Sequence, residues 1–261
     1  MMAYFARKAG KLLLKLLLGV RVHLSMGASP EDLFSDLWNF CRHYKFLFAL
    51  GEYFPNRFHI PLQNFVFKNI LEVVRTKYPA YKPNIRVRTS ESISTLFNIE
   101  EKIIVVTVHT AISSIIIEIL QELGIKSSFV MADASHRQVG VLGYNKIDVI
   151  LRSQDVFLIA RRKLKEGRVI CCCVDERSIY NQLYVGIGIF DFAKIIDAKI
   201  IFFIPQISDE GEVFIYLAAI NNTMEKLSSI DLAQDFVSFI NATSEKKKTF
   251  EISSWRRENK L

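Results

Sequence analysis

A chain of 261 residues, half of them hydrophobic and with only 11 glycines and 6 prolines, can fill one sizeable core and is neither disordered nor fibrous. Its formal charge of +7 favours an anionic partner surface: phospholipid, nucleic acid or an acidic carrier protein. Cys41 stands alone and Cys171, Cys172 and Cys173 are consecutive. Strand neighbours point to opposite faces, so an ordinary disulfide framework is not expected, and without a C-x-x-C spacing zinc is unsupported. The 20 phenylalanines suit a large core, an apolar groove or a membrane-facing patch.

In the N-terminal stretch KLLLKLLLG, Lys11 and Lys15 interrupt the leucines. No run approaches the roughly 20 apolar residues of a spanning helix, and no small-residue cleavage site comes after it. On a helix Lys8, Lys11 and Lys15 share one face and Leu12, Leu13, Leu16 and Leu17 lie largely opposite. That pattern suits a helix in the lipid headgroup layer, or one packed on its own protein. Ser29-Pro30-Glu31-Asp32 reads as a helix start, with a cap, a proline in the first turn and acids against the dipole. The helix it opens is expected to end near Gly51. A third helix covers NFVFKNILEVVRTKY and stops before Pro79 and Pro83. Residues 1–84 thus form a helical preface, with no Gly/Ser linker between it and residues 85–261.

From Ile85 the rhythm changes. IRVR reads as a short strand, SESISTLFN as a short helix, and Lys102 to Val108 as a β-branched strand buried on both faces. TAISSIIIEILQEL predicts a helix closed by Gly124. Then come the strand SSFVM, a helix over Leu151 to Lys165, the buried strand RVICCCV and the helix FDFAKIID. AKIIFFIP is a strand, EVFIYLAAI an edge strand, and DLAQDFVSFIN the last long helix. Alternation of this kind predicts an α/β fold over 85–261, a mostly parallel central sheet flanked by helices.

In open α/β sheets ligands sit beyond the carboxyl ends of the strands. Two polar points fall there: His109, and the pair Asp175-Glu176. An imidazole at that place is suited to take a proton from a hydroxyl attacking a thioester or ester carbonyl, with helix N–H groups behind it to support negative charge. The alternative is a histidine bonded locally at a strand–helix turn. Ser114 could hydrogen-bond to the ring or to substrate, whereas Glu118 lies too far along its helix for ready contact. In ADASHRQVGVLGYNK, Asp133 could orient a base and Arg137 could hold a phosphate or carboxylate through its planar fork. Arg152, Arg161, Arg162, Lys163 and Lys165, with Lys146, make the middle of the chain basic, which suits lipid headgroups or an acidic carrier. The cysteine run reads as core. Dinucleotide, P-loop, zinc-peptidase and nucleophile-elbow motifs are absent.

The order of these features resembles the bacterial lipid A biosynthesis acyltransferases, the lauroyl/myristoyl transferase family. EKIIVVTVHTAISSI resembles the family's strand and places His109 on its catalytic histidine. LKEGRVICCCVDE resembles a later segment, putting Asp175 on its aspartate and Glu176 where glutamine is usual. FDFAKIIDAKIIFFIPQ and the closing SSWRRENK are similar to the family's later segments. The likeness covers most of the chain in short motifs. The family's acidic partner of the histidine falls on Ser114, and Thr110 and Ala111 stand where an aromatic residue and glycine are usual. Either another group, Asp133 for example, replaces that carboxylate, or activity is altered or lost.

The resemblance implies an enzyme at the cytoplasmic face of the bacterial inner membrane, peripheral or anchored through its N-terminus. It would move a fatty acyl group from acyl carrier protein or coenzyme A to a hydroxyl or amine of a lipid-like acceptor. His109 would be the base, with Asp175, Arg137, Ser114, Asp133 and Glu176 around it. Acyl carrier protein or CoA thioester is the expected co-substrate, and no other cofactor, metal or nucleic acid is called for. A non-catalytic acyl-chain or lipid-binding relative is the competing expectation.

Overall fold

The computed structural model describes residues 16–22, 27–43, 62–98, 100–110, 112–131, 147–177, 183–220, 227–243 and 251–253. Helix α1 (Pro30–His43) opens as its sequence dictates: the Ser29 hydroxyl accepts from the Asp32 amide at 3.1 Å. Its apolar positions Leu33, Phe34, Leu37, Trp38 and Cys41 recur at helical spacing and are buried. Helix α2 (Leu62–Lys77) packs beside it and stops ahead of Pro79. Residues 44–61, including the expected helix end near Gly51, lie outside the described residues.

Residues 16–22 are helical as well. Leu18 is fully buried among α1 and α2, and the Arg21 guanidinium donates to both Asp36 carboxylate oxygens at 2.8 and 2.9 Å. Leu16 and Val20 point outward. This part of the N-terminal helix therefore packs on the protein along one side. Lys8, Lys11 and Lys15 lie outside the described residues. Among the described residues, no helix is long and apolar enough to cross a membrane.

The core is a seven-stranded sheet. In chain order its strands are β1 (Ile85–Arg88), β2 (Ile103–Thr107), β3 (Ser127–Met131), β4 (Val149–Leu151), β5 (Val169–Cys173), β8 (Lys199–Ile207) and β9 (Val213–Ile220). In space they run β1-β9-β8-β2-β5-β3-β4, all pairs parallel except β8 with β9. A smaller sheet of β10 (Glu251–Ser253), β7 (Leu183–Gly186) and β6 (Asp175–Arg177) continues from the end of β5. The helices are α3 (Ile93–Leu96), α4 (Ile115–Glu122), α5 (Val156–Lys165), α6 (Gly188–Ile196) and α7 (Ser229–Thr243).

Alternate residues of the central strands feed two separate cores. Ile103, Val105 and Cys171 pack with α1, α2 and α4; Ile104, Val106, Ile170 and Cys172 pack with α5, α6 and α7. Each buried Ile or Val contributes on the order of 1.5–3 kcal/mol, so β2, buried at all five positions, is fixed from both sides. The chain leaves β2 through α4 on the first face and leaves β5 toward α6 on the second. Right-handed crossovers running in opposite directions require that arrangement.

Several local expectations are corrected. β9 is an interior strand, since β1 pairs with its outer side in register Ile85↔Val213. Its Val213, Ile215 and Leu217 face the core, and Phe214 and Tyr216 on the other side are half-buried beside Arg88, whose guanidinium is 4.5 and 5.7 Å from their rings. Helix α4 begins at Ile115, not Thr110: the Thr110 hydroxyl accepts from the Ile112 amide and the Ser113 hydroxyl donates to the Thr110 carbonyl, bonds that compete with helix. The helix expected from Leu151 starts at Val156, and Leu151 ends β4.

Candidate functional site

β2 and β5 are neighbours at the centre of the sheet, and their following connections depart to opposite faces. A crevice opens at such a point, beyond the carboxyl ends of the strands. The pairing Thr107↔Cys173 is extended by the Val174 amide donating to the Thr107 carbonyl at 3.0 Å. Two residues further along each chain, the same register brings His109 to Asp175.

These two are joined three ways. The His109 amide donates to Asp175 Oδ1 at 2.7 Å, and His109 Nδ1 lies 3.0 Å from that oxygen and 3.1 Å from the Asp175 carbonyl. Both neighbours of Nδ1 are acceptors, which favours the proton on Nδ1 and makes Nε2 the basic nitrogen. The Asp175 side chain is 6% exposed and that of His109 33%. A buried carboxylate thus holds an imidazole that reaches solvent.

Cys173 and Ser113 complete the cluster, and neither was singled out from sequence as a site residue. Cys173 is two residues before Asp175, so strand alternation puts it on the same side. A side chain in a strand read as plain core gave no other signal. Burial, then the charge of Asp175, push the Cys173 thiol well above its usual value, opposed by a hydrogen bond with Ser113. Ligand atoms of His109, Cys173 and Asp175 lie within 4.8 Å of one another and are the types that could hold a soft divalent ion. Here Asp175 Oδ1 accepts from the His109 amide. Thr107, paired with Cys173, is fully buried, and its hydroxyl has no partner among the described residues.

Ser114 is buried at the N-cap of α4 without a capping bond from its hydroxyl. Glu176 lies in β6 opposite Tyr184, its side chain outside the described residues. Asp133 and Arg137 fall in 132–146, also outside them. Glu118 is fully buried and acts on Arg75 of α2: burial lowers the Arg75 guanidinium, and Glu118 and then Tyr81 resist.

At the opposite end of the sheet, Gln121, Lys126, Ser127, Asp148 and Arg168 line an open groove of about 520 Å³. Burial alone would raise the Asp148 carboxyl. Hydrogen bonds from Ser128 and Lys163 and the charges of Lys163 and Arg168 hold it below its ordinary value instead. Asp148 is outnumbered there by Lys126, Lys163 and Arg168, and the described lining holds no histidine–carboxylate pair.

No protein-family model matches this chain, and no curated protein matches it significantly.

Proposed function

We propose that the protein is an acyltransferase that works at a membrane surface, taking a fatty acyl group from an acyl-carrier or coenzyme A thioester. The acceptor is a hydroxyl or amine of a lipid-like molecule. The observation that carries the reading is the His109–Asp175 contact. A carboxylate bonded to Nδ1 orients the ring and stabilises the imidazolium that forms when Nε2 takes the acceptor's proton. The acceptor oxygen or nitrogen then bonds to the thioester carbon, the C–S bond breaks, and the proton passes to the departing thiolate. In this reading Asp175, on the neighbouring strand, supplies the charge that Ser114 cannot.

The partial exposure of the His109 side chain supports this reading; in a lipid-binding relative core side chains would wall off the ring. The test is acyl release from a panel of acyl-carrier and acyl-CoA thioesters with bacterial lipid extract present. His109→Ala is expected to lower turnover by about 10²–10⁴, and Asp175→Asn to lower it while leaving thioester affinity near that of the parent. A folded parent that binds acyl chains without turnover would overturn the reading in favour of a binding protein.

A further inference from the structure

The outer arc of α5 changes character along its length. Its first turn presents Phe157 and Leu158, 36% and 68% exposed, and the next turns present Arg161, Arg162 and Lys165. The inner side buries Val156, Ala160 and Leu164, so the helix cannot roll to hide its apolar turn. Phe157 is braced from behind by Phe192, with ring centroids 4.9 Å apart. Among the described residues no acid pairs with Arg161, Arg162 or Lys165, whereas Lys163 is engaged by Asp148 at 3.2 Å. Because α5 runs back from the carboxyl end of β4, its apolar turn lies at the end of the sheet that carries His109.

We propose that this arc docks on an anionic lipid bilayer, with Phe157 and Leu158 entering the acyl boundary and Arg161, Arg162 and Lys165 meeting phosphates. The surface is the outer side of a single helix. Its apolar tip and cationic flank match the layering of a headgroup region, and the chain's charge of +7 adds long-range attraction. The N-terminal helical stretch packs on the other face of the sheet, so α5 provides a contact that the N-terminal sequence does not. The inference rests on the membrane-surface part of the proposed function and is independent of its chemistry.

The experiment is co-sedimentation of the full chain with phosphatidylcholine vesicles, with and without phosphatidylglycerol, and with no acyl donor. Binding selective for the anionic vesicles is expected. It should weaken about fivefold for Arg161→Gln or Arg162→Gln, weaken comparably for Leu158→Ser, and be unchanged for Lys77→Gln, an exposed cation on α2. Circular-dichroism melts establish that each variant is folded. Vesicle binding in a chain that turns over no thioester still supports docking while overturning the chemistry. The docking inference is overturned by parent-like vesicle binding of the α5 variants. It is equally overturned if those variants lose capture of acyl carrier protein or nucleic acid and keep the vesicles.

Discussion

Asp175 serves two bonds with one oxygen, so its replacement tests structure and chemistry together. Two buried thiols elsewhere in the core offer a cleaner structural probe. Burial raises Cys41 and Cys172 to about 12 from an ordinary 9.0. Below pH 9 these thiols are protonated in both folded and unfolded chains and have no pH-dependent effect. Between about pH 9 and 12 the unfolded chain loses their protons and the native chain keeps them, so stability falls as pH rises. Cys172→Val should flatten that fall in a urea-denaturation series; an unchanged slope would mean that other groups dominate it. His109 as the end of a β-branched run was legible in the sequence. Its partnership with Asp175 was not, because it depends on which strands lie side by side and in what register, and neither strand's own pattern states that.

At the scale of elements, the hairpin between β8 and β9 is locked to α1. The Trp38 indole donates to the Asp209 carbonyl at 2.7 Å. Gly211 has φ +84, and a Cβ there would meet the Trp38 ring at 3.0 Å. Gly124 closes α4 with φ +74 and open space around it. Gly124→Ala should therefore cost about 1 kcal/mol from backbone strain alone, and Gly211→Ala more, on the order of 2–4 kcal/mol once the displaced ring is included. Equal denaturation midpoints for the two variants would show that Trp38 yields freely. The long apolar runs of β2, β5 and β8 could be read from sequence because continuous β-branched stretches suit strands covered on both faces. β4, β6 and β7 could not: VIL is short and lies between Asp148 and Arg152, DER has no apolar residue, and LYVG is only four residues long. What defines them is pairing to a neighbour.

For the whole molecule, α1 and α2 cover one face of the sheet, where Trp38, Phe67 and Ile70 share a core with Val105, Ile201 and Phe203. A fragment of residues 85–261 would expose those side chains to water. It should lack a sharp near-ultraviolet dichroism signal and bind a hydrophobic dye, and a cooperatively folded, non-binding fragment would contradict this. The fold class was readable from alternation. The division at residue 84 marks where helices give way to strands in sequence, and the first hydrophobic cluster runs across it.

The pairing of β1 with β9 also bears on biosynthesis. Arg88 faces Tyr216 in that ladder, so the earliest of the described strands is completed by one of the latest of them. At about 5–20 residues per second, β1 and the apolar faces of α1 and α2 wait several seconds for β8 and β9 to emerge. During that interval Phe34, Trp38 and Phe67 lack the part of their core that Ile201, Phe203 and Ile215 supply, which leaves apolar surface of the nascent preface open to water. Long-range parallel closure of this kind slows spontaneous refolding as well, and a dilute, chaperone-assisted regime is where the full chain should fold with the highest yield.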